Sequence, residues 1–323
     1  MSTSIGNFIS RSVFLLCFIV IVAIVAGIGM PASAEGNSHP FITMWGSNGS
    51  GDGEFARPTS IAVNASDYVH VADTKNNRIQ IFNSAGDYLT QWGSTGSGNG
   101  QFNQPGGIAV NESDYVYVAD TQNNRIQIFN SAGDYLTQWG STGSGNGQFN
   151  QPGGIAVNES GYVYIADTYN NRIQVFTPYG LFVKKWGSKG SGNGQFNQPG
   201  DIAVDKNGSV YVADTQNNRI QKFTSSGTYI KKWGSYGSGN KQFQYPHGIA
   251  ADPNGYVYVA DKGNARILEF TSSGAYVTWW GRYGSNKNMF KAPMGVAVSA
   301  SGFIYVADSG NSRIQKFAPS TFR

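Results

Sequence analysis

Aspartate and arginine recur as pairs five residues apart along this chain of 323 residues: Asp73 with Arg78, Asp120 with Arg125, Asp167 with Arg172, Asp214 with Arg219, Asp261 with Arg266 and Asp308 with Arg313. A carboxylate beside a guanidinium can do catalytic work when it occurs once in a cleft. Six pairs at a constant step of 47 residues point to structure instead, because every copy of a repeated turn needs the same stitch. The Asp ends a Val-Ala-Asp or Ile-Ala-Asp run. Its expected task is to accept backbone N–H groups in the turn that follows, with the Arg reaching back to it or to a neighbouring unit.

Chemistry particular to this chain belongs where the copies differ. Residues 76–113 are identical to 123–160, so the early copies offer little asymmetry. The position after a repeated proline reads Thr59, Gly106, Gly153, Gly200, His247 and Met294. The next reads Ser60, Gly107, Gly154, Asp201, Gly248 and Gly295. Tyr169 stands where other copies have Lys75, Gln122 and Gln216. Thr59, Ser60, Tyr169, Asp201, His247 and Met294 are therefore the candidate ligand-binding residues, and no residue is assigned a catalytic role.

Metal and cofactor chemistry find little support. The histidines are His39, His70 and His247; His70 replaces a repeated tyrosine (Tyr117, Tyr164) and is expected to pack like it, so a three-His zinc site cannot be assembled. Asp52 and Glu54 replace Asn99 and Gln101, but two carboxylates do not make a calcium loop. The stretch Gly96-Ser97-Gly98-Asn99-Gly100 lacks the Gly-Lys-Ser/Thr ending of a phosphate loop and reads as a flexible connector. The expectation is no metal and no cofactor.

These residues must be positioned by the repeat itself. Trp45, Trp92, Trp139, Trp186, Trp233 and Trp280 keep the 47-residue step, as do the prolines from Pro58 to Pro293 and the phenylalanines from Phe55 to Phe290. One copy holds four strand-like runs, 107–110, 115–119, 125–129 and 135–139, separated by Gly, Asn, Ser and Asp clusters. Four short antiparallel strands in a repeat of this length make a propeller blade. The chain opens with a lone fourth strand, 41–45, and stops after a third, 313–317. The one can complete the other and leave no propagating edge. The expected fold is all-β: a six-bladed β-propeller whose ring is closed by the N-terminal strand. The tryptophans and phenylalanines are its packing between twisted sheets, and the candidate residues border one mouth of its central channel.

The run Pro105-Gly106-Gly107-Ile108-Ala109-Val110, then Tyr117-Val118-Ala119-Asp120, then Asn123 and Arg125-Ile126, resembles the NHL repeat family, over residues 41–323 and in six copies. The resemblance implies a propeller. It also implies several possible relatives: RNA- or protein-binding domains beside a ubiquitin-ligase module, a zinc-dependent amidating lyase, and exported proteins of other roles. The chain lacks the cysteines of a ligase RING; its one cysteine is Cys17.

Residues 1–34 hold Arg11, an apolar stretch from Val13 to Met30, and Ala32-Ser33-Ala34. They read as a signal peptide cleaved before Glu35 or as an N-terminal membrane anchor, and both place the remainder outside the membrane. Residues 35–40 are then a leader to the propeller at 41–323. Asn48, Asn64, Asn111, Asn158 and Asn207 each begin an Asn-x-Ser triplet, which suits glycan attachment in an exported chain or the start of a turn. Charge is uneven: residues 41–180 carry 5 basic and 11 acidic side chains, residues 181–323 carry 17 and 7. Lys184, Lys185, Lys231 and Lys232 form a basic edge suited to self-association or to an acidic cell-surface polymer. The expected function is a secreted or cell-surface scaffold that binds a protein or glycan, rather than an enzyme. An extracellular lyase or hydrolase and an RNA-binding domain are the alternatives. Export makes nucleic acid a poor partner, and membrane contact is expected only through the N-terminal segment.

Overall fold

The computed structural model describes residues 39–320, so the signal or anchor segment and most of the leader lie outside the described residues. Twenty-four strands form six four-stranded antiparallel sheets, the blades. In blade 2 the strands are Pro105–Val110, Val116–Asp120, Arg125–Phe129 and Tyr135–Trp139, in that order across the sheet. The second strand lies one residue later than expected, and the first starts two residues earlier, at a proline that pairs with Asp120 before the register shifts. The second and third strands are buried at every residue, which matches their apolar runs of Val, Ile and Phe. The fourth alternates half-buried and exposed residues along the outer edge.

The ring closes as the ends of the repeat pattern require. Phe41–Trp45 pairs antiparallel with Arg313–Phe317, placing Trp45 opposite Ile314 and Thr43 opposite Lys316. The closure extends one step further than the sequence indicated. Ala318 N–H donates to the Pro40 carbonyl at 2.8 Å. His39, assigned to the leader, is buried: its Nε2 lies 2.9 Å from Glu269, and its ring lies 4.4 Å from that of Trp280.

Aromatic rings join the blades. Trp92 on the outer strand of blade 1 lies 5.6 Å from Phe129 of blade 2, which also meets Phe102 at 5.6 Å. Both phenylalanines are fully buried, each removing an apolar side chain from water for about 2 kcal/mol. Blades 2 and 3 share one core through Ile126, Ile128, Phe149, Ile155 and Phe176.

Each arginine reaches back to its aspartate as expected, but the carboxylate bonds the connector rather than the turn that follows it. Asp120 caps no turn. Its Oδ1 accepts the Asn103 N–H at 2.7 Å, and its Oδ2 accepts from Arg125 Nε at 2.7 Å, Asn123 at 2.9 Å and Gln127 at 3.2 Å. Arg125 then donates to the carbonyls of Ser97, Gly98 and Gln101 at 2.7, 2.8 and 2.9 Å. The glycine-rich connector is thus held rather than flexible: the guanidinium fork binds three of its carbonyls, and Phe102 N–H donates to Ser94 at 2.8 Å. The same Nε–carboxylate contact recurs at 2.7–2.9 Å in all six blades.

Candidate functional site

Each first strand begins at one mouth of the channel, at its proline or two residues after it. There Thr59, Ser60, Tyr169, Asp201, His247 and Met294 line a single cavity of about 200 Å³. The wall is asymmetric. At the two positions after the proline, blades 2 and 3 carry only glycine, because the strands approach too closely there for a side chain. A Cβ at Gly107 would lie 2.4 Å from the Gly153 carbonyl oxygen, and one at Gly154 would lie 2.2 Å from Asp201 Oδ1. Asp201, His247 and Met294 come from blades 4, 5 and 6 and share the cavity with these glycines.

Asp201 Oδ2 accepts the Ile249 N–H of the next blade at 3.0 Å, and Oδ1 accepts the Ile202 N–H at 2.9 Å. Burial pushes its carboxyl up to about 7 against the downward effect of these two bonds. His247 Nδ1 lies 3.3 Å from the Met294 carbonyl, which can only accept, so Nδ1 carries the proton. Burial pulls His247 down to about 4, and the positive charge of Lys262 adds to the effect. At neutral pH the mouth therefore holds a neutral imidazole and a carboxyl group near half-ionisation. Thr59 donates to the Gly106 carbonyl at 2.9 Å, and Ser60 Oγ accepts the Ile108 N–H at 3.3 Å. Tyr169, 48% exposed, forms the rim.

One feature of the mouth escaped the sequence reading. Thr74, Thr121, Thr168 and Thr215 each donate a hydroxyl to the first-strand proline carbonyl of the next blade, at 2.8, 2.8, 2.9 and 2.8 Å. Ser309 does the same to Pro58. In blade 5 the equivalent residue is Lys262, whose ammonium is disfavoured first by burial and then by Arg57. The signal was present in the 47-residue step; only its meaning was not.

The remaining predicted residues lie elsewhere. Lys184 and Lys185 are on Phe182–Trp186, and Lys231 and Lys232 on Tyr229–Trp233, the outer strands of blades 3 and 4. Lysines there also guard open edges against strand addition. His70 packs, buried, in the place of the repeated tyrosine, and its pKa falls to about 4 through burial. Asp52 and Glu54 are tied into the connector: Glu54 accepts the Gly51 N–H at 2.9 Å, and Asp52 accepts from Gln91 at 3.2 Å. Asn64, Asn111 and Asn158 do start turns, accepting the N–H of Tyr68, Tyr115 and Tyr162 at 2.8 Å. Asn64 is buried and its amide donates to Asp114 at 2.8 Å, whereas Asn48 and Asn207 are exposed.

The molecule is thus a six-bladed β-propeller with an asymmetric cavity at one channel mouth. It belongs to the NHL repeat family: the family's repeat model matches residues 55–82, 102–129, 149–176, 196–223, 243–270 and 290–317, one match per blade. Among curated proteins it is similar to the E3 ubiquitin-protein ligase TRIM71 of Rattus norvegicus, 39% identical over 62 residues, which are 19% of this chain and 6% of that protein. The chain therefore spans only a small part of that relative's length. Among solved structures it is similar to a protein of unknown function from Bacteroides thetaiotaomicron, at TM-score 0.67 and 19% identity, covering 87% of this chain and 76% of that one. It is also similar to a streptogramin B lyase, at TM-score 0.60 and 16% identity, covering 81% and 93%. At these identities the structures share a fold.

Proposed function

We propose that the chain is an extracellular or cell-surface scaffold that binds a polar group of a protein or glycan at the channel mouth. The observation that carries this reading is the asymmetric cavity. Blades 4, 5 and 6 place Asp201, His247 and Met294 in one cavity with the glycines of blades 2 and 3, where a side chain would clash. A half-ionised carboxyl and a neutral imidazole can donate to and accept from hydroxyl and amide groups. Glycan-array and pull-down capture by the full chain test the reading. Asp201→Ala and His247→Ala are each expected to cost about tenfold in affinity, the worth of one charge-assisted hydrogen bond. Capture unchanged in both variants would refute the site.

A second reading, an extracellular lyase- or hydrolase-type enzyme, draws on the same two groups. A carboxyl raised to about 7 in the same cavity as a proton-free imidazole nitrogen suits acid–base chemistry. The fold shared with a lyase is compatible with it. Turnover of any captured ligand, abolished in Asp201→Asn while binding persists, would favour this reading over the scaffold.

A further inference from the structure

On the face opposite the mouth, where first strands turn into second strands, crevices open between blades 1 and 2 and between blades 2 and 3. One third-strand position lines both, as Ile81 and Ile128, and is Val175, Lys222, Glu269 and Lys316 in the blades that follow. Three of these residues carry charge, and each reaches across to a partner from another part of the chain. Lys222 donates to the Ser272 carbonyl of the next blade at 3.0 Å, with its ammonium 5.0 Å from the Tyr211 ring centre. Lys316 donates to the Ser84 carbonyl at 2.7 Å and lies 4.3 Å from the Phe303 ring and 5.3 Å from that of Tyr305. Each has a carboxylate in range, Asp205 for Lys222 and Asp67 for Lys316. Glu269 instead receives His39.

Between blades 2 and 3 the same position is Ile128, which stops short and leaves a cavity of about 340 Å³. The carbonyl and the aromatic ring that hold an ammonium in the sister crevices remain, while Asn111 and Gly161 stand in place of Asp205 and Asp67. Tyr117 stands where Tyr211 and Tyr305 stand, and Pro178 where Ser272 and Ser84 stand. The Tyr117 hydroxyl meets the Pro178 carbonyl at 3.3 Å, as Tyr211 meets Ser272 at 3.5 Å beside the bound Lys222. Glu112 and Glu159 line the opening, with Tyr115 and the 79% exposed Tyr179 beside them. The crevice between blades 1 and 2 is less suited: His70 replaces the tyrosine and Asp114 is already held by Asn64.

We propose that the crevice between blades 2 and 3 binds a primary ammonium on a short aliphatic stem, taking from outside what Lys222 and Lys316 supply from within. A carbonyl, an aromatic face and nearby carboxylates are the chemistry that recognises an ammonium. Such a group comes from a free diamine or from a lysine side chain of another protein. This site is separate from the channel mouth and does not depend on the function proposed there.

Calorimetric titration of the full chain with cadaverine, N-acetyl-lysinamide and pentanol tests the proposal. Saturable binding of either amine is expected, with pentanol at least about tenfold weaker because it brings no charge to the carboxylates. Binding of N-acetyl-lysinamide identifies the lysine source, and binding of cadaverine alone the free diamine. Ile128→Lys should fill the crevice as Lys222 does and abolish binding. The double variant Glu112→Gln/Glu159→Gln keeps the shape and should weaken binding roughly tenfold. No saturable heat with either amine, pentanol binding as tightly as the amines, or full affinity retained in the Glu112→Gln/Glu159→Gln protein would overturn the proposal.

Discussion

Replacing Asp201 with Asn should change how the stability of the ring depends on pH. In the unfolded chain this carboxyl titrates near 3.8, and in the folded protein burial raises it to about 7. Between those values the folded state keeps a proton that the unfolded state has lost, so the contribution is full below pH 3.8 and drains away as pH rises through 7. The two values lie about 3 pH units apart, and each unit is worth about 1.4 kcal/mol, which sets a ceiling of roughly 4 kcal/mol. The carboxyl borders an open cavity, so water reduces this to about 2 kcal/mol. His70 and His247 work in the opposite sense. Both fall from 6.5 to about 4 on folding, so the unfolded chain holds the extra protons and stability rises with pH between those values. In the natural chain the opposing trends partly offset each other; Asp201→Asn removes the share that Asp201 supplies and leaves the other groups, among them the raised Asp261 and Asp308, common to both proteins. Urea unfolding of both proteins at half-unit intervals from pH 4 to 7 measures the difference. The stability of the natural chain relative to the variant should fall by about 2 kcal/mol across the range. Parallel curves, within about 0.5 kcal/mol, would refute the placement of a protonated Asp201 at the mouth.

Two further outcomes follow from the architecture. Arg125→Ala leaves Asp120 buried without its guanidinium and removes the donor from three connector carbonyls. Denaturant unfolding should show a loss of about 3–5 kcal/mol, and a loss below 1 kcal/mol would mean that the connector holds itself. A chain beginning at Gly46 leaves Arg313–Phe317 without its partner strand. Sedimentation should then show concentration-dependent association through the freed edge, and a monomer of undiminished stability would contradict ring closure by strand pairing.

What could be read from the sequence follows from periodicity. A residue repeated at a fixed step declares that its role is shared, so the strands, the aromatic packing between blades and the closing partner of Phe41–Trp45 were all accessible before any coordinates. The positions after each proline also declared themselves as one ring of sites, and their side chains do converge on one cavity. Two kinds of interaction were hidden. The connector looks like a linker because its Gly-Ser-Gly composition is that of a flexible chain, yet the Arg125 fork that fixes it lies 24–28 residues further along. His39 occurs outside the repeat, so nothing in the pattern could announce that it reaches Glu269 across 230 residues of chain.

The exceptions to the repeat are informative in the same physical terms. At the hydroxyl ring, four threonines and one serine bind the next blade, and Lys262 cannot do so in the same compact way. Its charge is felt by His247 on the same blade. The crevice position shows the complementary case: where lysine occurs it bonds the next blade's carbonyl, and where Ile128 occurs a cavity stays open with that carbonyl and ring in place and Glu112 and Glu159 at its opening. A closed ring makes such divergence inexpensive, because each blade is clamped by its own Asp–Arg pair and aromatic contacts whichever side chain stands at the mouth or in the crevice. Selection for stability therefore acts on the repeated residues, while the unrepeated ones are free to take up binding. That separation is why the two proposed sites lie at opposite ends of the strands and can be lost independently.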